Sequence, residues 1–160
     1  MRDTKVERTT TLKSLILIVL KELRLEKGLH QAYLAEACGK SPSAWTKIEL
    51  GQTPITMEIF FLVCKELRVS PSSVLSTAER HSTLLSQNNW AIIYTQLDYA
   101  EDHMLLLAQK YYSSEEYNKR RRQRTYNLIL NEPEYDEDGN VIISPVFRYI
   151  INQDKNIKLL

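Results

Sequence analysis

At 160 residues, with 43% hydrophobic and 26% charged residues, the chain has the make-up of a folded globular protein and not of a disordered or fibrous one. The net charge of +1 hides a split, because residues 1–80 hold 12 Lys or Arg against nine acids and residues 81–160 hold nine against 11. Two lone cysteines without CxxC spacing exclude a disulfide framework and a zinc site, and the apolar run Leu15 to Leu20 falls far short of the ~18 residues a membrane span needs.

In chain order, residues 1–10 form an expected flexible arm in which Arg2, Lys5 and Arg8 are the cations. Leu12, Leu15, Ile16, Val19, Leu20 and Leu23 recur at spacings of three and four, which predicts a helix over residues 11–27 that stops at Gly28. Leu17, Ile18 and Leu25 lie off that face and offer a docking surface. A second helix runs from Gln31 to Cys38, with Leu34 and Cys38 inward, and ends at Gly39. Ser41-Pro42-Ser43 reads as an N-cap followed by proline at the first helical position, where the missing amide costs nothing. The third helix puts Ala44, Trp45 and Ile48 inward, turns Ser43, Thr46 and Lys47 outward, and closes at Gly51. A fourth helix follows over residues 56–67, and a fifth starts behind Ser70-Pro71. Cys38 and Cys64 fall on inward positions and read as buried, inert thiols.

The second half carries fewer signals. His81 to Asn89 is polar enough to read as a connection, with a boundary near Thr83. Trp90, Ile93, Leu97, Met104, Leu107 and Tyr111 form an apolar stripe that predicts a helix over 89–112, and Ser113 with Glu116 three residues on is a capping box opening another helix to about Leu130. Asp138-Gly139 between Tyr135 and Val141-Ile142-Ile143 predicts a hairpin, and Val146 to Ile151, rich in strand formers, predicts a third strand behind Pro145. Lys119, Arg120, Arg121, Arg122 and Arg124 crowd the second of these helices. Two readings of that cluster stand side by side: a second phosphate or partner surface, or a solvated face offset by Glu115, Glu116 and the acids of 132–138. His30, His81 and His103 lack metal-ligand spacing, and Asp98, Glu101 and Asp102 read as a solvated face, so neither a metal site, a cofactor site nor an enzyme is expected.

The stretch Gln31-Ala32-Tyr33-Leu34-Ala35, then Gly39, then Trp45-Thr46-Lys47-Ile48-Glu49-Leu50-Gly51, resembles the phage-repressor type of helix-turn-helix, the XRE family. Leu23-Arg24, Lys27-Gly28-Leu29, residues 56–67 and Val69-Ser70-Pro71 extend the resemblance over about 12–75. The resemblance implies a double-stranded DNA partner and a recognition helix over 41–50 whose Ser41, Ser43, Thr46 and Lys47 face base edges, with Gln31 and Lys40 on phosphates. It also implies a partly buried Arg24–Glu49 salt bridge and a helix-capping His30. Leu50 stands where the family commonly has a polar phosphate contact, and Trp45 where it has a smaller aliphatic residue, so the core is expected to repack there.

The resulting expectation is a mainly α protein: a five-helix repressor-like helix-turn-helix domain over 11–80, then a helical pair and a small C-terminal antiparallel β element over 84–160. Its expected role is a cytoplasmic, homodimeric DNA-binding regulator repressing transcription, its own promoter being one candidate operator. A second reading is an antitoxin-like or adaptor protein whose C-terminal region binds a protein partner. The arginine cluster and the extra apolar surface of the first helix are the features that favour it.

Overall fold

Thr11 closes one element and opens the next. Residues Arg8–Thr11 form strand β1, and the Thr11 hydroxyl accepts from the Ser14 amide at 3.1 Å to cap helix α1 (Leu12–Glu26). The computed structural model describes residues 7–123 and 129–157. Helices α2 (Gln31–Ala37), α3 (Pro42–Glu49), α4 (Met57–Leu67) and α5 (Pro71–Ser86) follow, and the Ser41, Thr56 and Ser70 hydroxyls each accept from the amide three residues on. The boundaries of the first four helices agree with the sequence reading to within a residue.

The N-terminal arm is shorter than expected. Arg8–Thr11 pair in parallel with strand β2 (Trp90–Ile93), Arg8 opposite Trp90 and Thr11 opposite Ile93, and Thr10 is buried. Arg2 and Lys5 lie outside the described residues. The polar stretch from His81 is likewise no linker: α5 continues through it to Ser86, and His81 is only 2% exposed. Its ring stacks on Phe147 at 4.2 Å, and its Nδ1–H donates to the Thr77 carbonyl at 2.8 Å.

The helix expected over 89–112 is split. Asn89 adopts a left-handed φ of 64° that ends the α5 run, and the β-branched pair Ile92-Ile93 goes into β2. After a single 3₁₀ turn at Tyr99–Glu101, helix α6 starts only at His103 (His103–Tyr112). Asp102, expected on a solvated face, is its buried N-cap: the carboxylate accepts from the Leu105 amide (3.1 Å), the Thr10 hydroxyl (2.8 Å) and the Ser14 hydroxyl (2.6 Å). The Thr9 amide donates to His103 Nδ1 at 2.9 Å. Strand β1 and the first turn of α1 are thus fastened to the start of α6 by polar contacts that cross more than 85 residues of sequence.

Helix α7 (Glu115–Gln123) is capped by Ser114, one residue later than the capping box suggested, its hydroxyl accepting from the Tyr117 amide at 3.3 Å. The hairpin forms as read, with β3 (Glu134–Tyr135) antiparallel to β4 (Val141–Ile142) and Asp136 accepting from the Asp138 and Asn140 amides across the turn. The third strand does not form. Residues Pro145–Ile157 make helix α8, in which Val146, Phe147, Ile150 and Ile151 are buried at helical spacing while Arg148 is exposed. Burying that face against α6 and Phe147 against His81 outweighs the strand propensity of the valine and isoleucines. One continuous apolar cluster runs from Leu15 of α1 to Ile151 of α8. Burial pushes the Cys64 thiol within it up to about 11, and Cys38 is half-buried with its thiol also raised.

Candidate DNA-binding surface

Between α2 and α3 the chain turns within residues 38–41. Gly39 takes φ +65°, the Gly39 amide donates to the Glu36 carbonyl and the Lys40 amide to the Ala35 carbonyl, which closes the end of α2. Lys40 and Ser41 are left exposed at the turn, and Pro42 starts α3. The rotation of α3 is set by Trp45, Ile48 and Glu49, all buried, which turn Ser43 and Lys47 to solvent.

The residues expected at base edges differ in what they can still offer. Ser43 and Lys47 are exposed, and the Ser43 hydroxyl lies 3.3 Å from that of Ser41. Ser41 already accepts from the Ala44 amide at 3.2 Å, so capping uses part of its hydrogen-bonding capacity. Thr46 is half-buried and has one hydroxyl hydrogen, which goes to the Pro42 carbonyl at 2.9 Å in preference to Gln31 Oε1 at 3.4 Å. Its hydroxyl is then left to act toward a ligand as an acceptor. Gln31, at the first position of α2, is brought beside α3 by that long contact. His30 occupies the N-cap position of α2, yet its side chain makes no capping hydrogen bond, which corrects the capping role expected of it.

Behind this surface lies a buried charged knot. Arg24 donates to Glu49 Oε1 through Nη2 (2.6 Å) and Nε (3.2 Å), and to the Leu29 carbonyl through Nη1 (2.8 Å). Trp45 Nε1 donates to Glu49 Oε2 at 2.8 Å. Trp45 is therefore more than a large core residue: its indole satisfies the carboxylate oxygen that Arg24 leaves over. The signal was present in the sequence, since residues four apart on a helix share a face. Lys21 sits beside the knot, its ammonium 3.9 Å from the Tyr112 ring centroid and pushed down by burial against the pull of Glu49.

Past α3, Gly51 meets the second half of the protein. A Cβ there, at φ +80°, would stand 2.6 Å from Leu105 Cδ1, so α6 presses directly on the end of α3. Of the surplus apolar residues of α1, Leu17 and Ile18 are 4% and 3% exposed, covered by this chain itself, while Leu25 is half-buried. The gap left around Lys21, lined by Leu17, Glu49, Leu105 and Tyr112, is about 20 Å³, room for one water and not for an effector.

The basic cluster is divided. Arg120 is buried and paired with Glu22, Arg122 pairs at the surface with Glu115, Lys119 and Arg121 are exposed, and Arg124 lies outside the described residues.

Residues 20–74 match the helix-turn-helix family model, a segment that covers α2 to α4 with the C-terminal part of α1 and the start of α5. That segment is an XRE-type helix-turn-helix, and the match supports a DNA-binding transcription regulator of this kind. Among curated proteins and solved structures, no match to the chain was found. Among the described residues, no helix is long and apolar enough to cross a membrane.

Proposed function

We propose that the protein is a sequence-specific, dimeric repressor of transcription that reads the major groove with α3, its own promoter being a candidate operator. The observation that carries this reading is the pairing of exposed Ser43 and Lys47 on α3 with Gln31 at the start of α2, all held by the Arg24–Glu49–Trp45 knot. Ser43, Ser41 and the methyl of Thr46 face bases, Lys47 faces a base edge or phosphate, and Gln31 and Lys40 anchor the backbone. Short hydroxyls discriminate bases weakly, so affinity depends on two copies placed about one helical turn, ~34 Å, apart on a roughly palindromic site. Met57 and Phe61, 65% and 49% exposed and one turn apart on α4, offer an apolar pair for a second copy. The strand edge expected at 146–151 offers none, because that segment is helical.

The test is binding to the duplex upstream of the protein's own coding region, against a scrambled duplex, for the wild type and Ser43→Ala/Lys47→Ala. Selective binding that the double variant loses is the expected result. Equal, unselective binding by both proteins would move the function to the C-terminal half and a protein partner. Two features that favoured such a partner are used in part inside the chain: Leu17 and Ile18 of α1 are covered, and Arg120 is buried.

A further inference from the structure

Two buried ion pairs leave α1 two residues apart and hold different elements. Arg24 fixes Glu49 at the end of α3, and Glu22 fixes Arg120 in α7. Glu22 has no exposed surface; its carboxylate accepts from Arg120 at 2.8 and 3.4 Å and from the Tyr112 hydroxyl at 2.7 Å. Arg120 Nη1 also donates to the Tyr111 hydroxyl at 2.8 Å. One turn further on, Glu26 accepts from the Ile129 amide at 2.6 Å. Desolvating a carboxylate and a guanidinium offsets most of their attraction, so such a pair contributes orientation more than net stability. The same two turns of α1 therefore set the position of both α3 and α7. That end of α1 leads through residues 27–30 straight into Gln31.

With Arg120 turned inward, the helical period places Lys119 and Arg121 on its two flanks and Arg122 on the far side, all three exposed. Arg122 is held by Glu115 at 2.6 Å; among the described residues no ion pair engages Lys119 or Arg121. The outward face of α7 has no apolar residue, since Tyr117 packs inward against Tyr111 and Tyr112. A protein interface needs an apolar centre, whereas a phosphate backbone needs only correctly spaced cations.

We infer that the outward face of α7 is a second contact with duplex DNA, in which Lys119 and Arg121 engage backbone phosphates outside the base pairs that α3 covers. Arg120 is a positioning residue: it touches no phosphate and holds the helix at a fixed distance from α3. The inference rests on the DNA-binding reading above and deepens it.

The experiment uses the full chain and two duplexes of equal length, one selected by the wild-type protein from a randomised pool and one of random sequence. Binding is measured from 50 to 200 mM salt for the wild type, Lys119→Gln/Arg121→Gln, Glu115→Gln/Glu116→Gln and Ser43→Ala/Lys47→Ala. The α7 cation variant is expected to bind both duplexes with a salt slope shallower by about 1.8, so its deficit is on the order of tenfold larger at 50 than at 200 mM, with sequence preference unchanged. Removing the two carboxylates is expected to act in the opposite sense and tighten binding at low salt. An unchanged slope in both α7 variants, while the α3 variant loses selectivity, would overturn the α7 contact alone and turn the search to an acidic protein. A wild type that selects no sequence would overturn the DNA reading and the α7 contact with it.

Discussion

The two halves of this protein are specified in different ways. From α1 to α5 the ends of the helices are written in adjacent residues: Thr11, Ser41, Thr56 and Ser70 start them, and Gly28, Gly39 and Gly51 stop three of them. From β2 onward the structure depends on partners far away in sequence. Strand β2 exists because Arg8–Thr11 lies beside it, α6 starts at an aspartate that also binds Thr10 and Ser14, and α7 is seated by Glu22. The difference teaches that α1, whose sides face α3, α5 and α6 and whose Glu22 reaches α7, is the common frame, and that the second half is built onto it.

The largest expected effect comes from breaking that attachment. Arg120→Ala leaves the buried Glu22 carboxyl without its counter-ion, at a cost of about 3–5 kcal/mol. Trp45 reports on the first half and Trp90 on the second, so urea unfolding of the variant followed in Trp45→Phe and Trp90→Phe backgrounds separates the two regions. Because the apolar core is continuous from α1 to α8, the two probes are expected to move together to lower urea. A transition at Trp90 that leaves Trp45 unmoved would instead divide the chain into two independent domains, near the boundary at 80–84 that its sequence suggests.

A smaller effect is expected at the seam itself, where His81 of α5 stacks on Phe147 of α8. Burial holds this imidazole below its ordinary value of 6.5, opposed by its bond to the Thr77 carbonyl and reinforced by Arg80. The unfolded chain then binds the proton more readily than the folded one, so the stabilisation is complete above 6.5 and is lost as pH falls through the lower, folded value. One proton can contribute at most about 1.4 kcal/mol per pH unit. The urea midpoint should drop between pH 8 and 5.5 in the wild type and drop less in His81→Phe, which keeps an aromatic ring against Phe147. Parallel curves for the two proteins would remove His81 from the seam.

What could be read from sequence follows the same division. The Ser-Pro pairs at 41–42 and 70–71 announce α3 and α5, and a third pair, Ser144-Pro145, stands at the start of α8 with Pro145 as its first residue. The strand formers of Val146 to Ile151 point the other way, and Ser144 does not cap α8 as Ser41 and Ser70 cap theirs: its buried hydroxyl has no partner among the described residues. The stripe from Trp90 to Tyr111 has a helical period across β2 and α6 alike, so periodicity could not show the break. Within the candidate site, Ser43 and Lys47 were legible as outward residues. The commitment of Thr46 to its own backbone was not, and neither was the inward turn of Arg120 among the described cations of its run, since only the position of Glu22 in space decides it.

The smallest predicted effect tests whether local coding in the first half is complete. Helix α4 ends as α1, α2 and α3 do, with the Arg68 amide on the Lys65 carbonyl and the Val69 amide on the Cys64 carbonyl, yet the left-handed position is held by an arginine at φ 54° instead of a glycine. That conformation costs a residue with a Cβ about 1–2 kcal/mol, and part of the gain on removing the Cβ returns as extra freedom of the unfolded chain. Arg68→Gly is therefore expected to stabilise the protein by about 0.5–1 kcal/mol, a rise in Tm of about 1–4 °C for a chain of this size. Arg68→Ala is the control, because it removes the exposed guanidinium and keeps the strained backbone. A glycine variant above the wild type with an alanine variant at or below it assigns the gain to the backbone. If both variants fall, the arginine side chain does more at this helix end than its exposure indicates, and the rule that locates the other three ends in a glycine has a fourth, side-chain form.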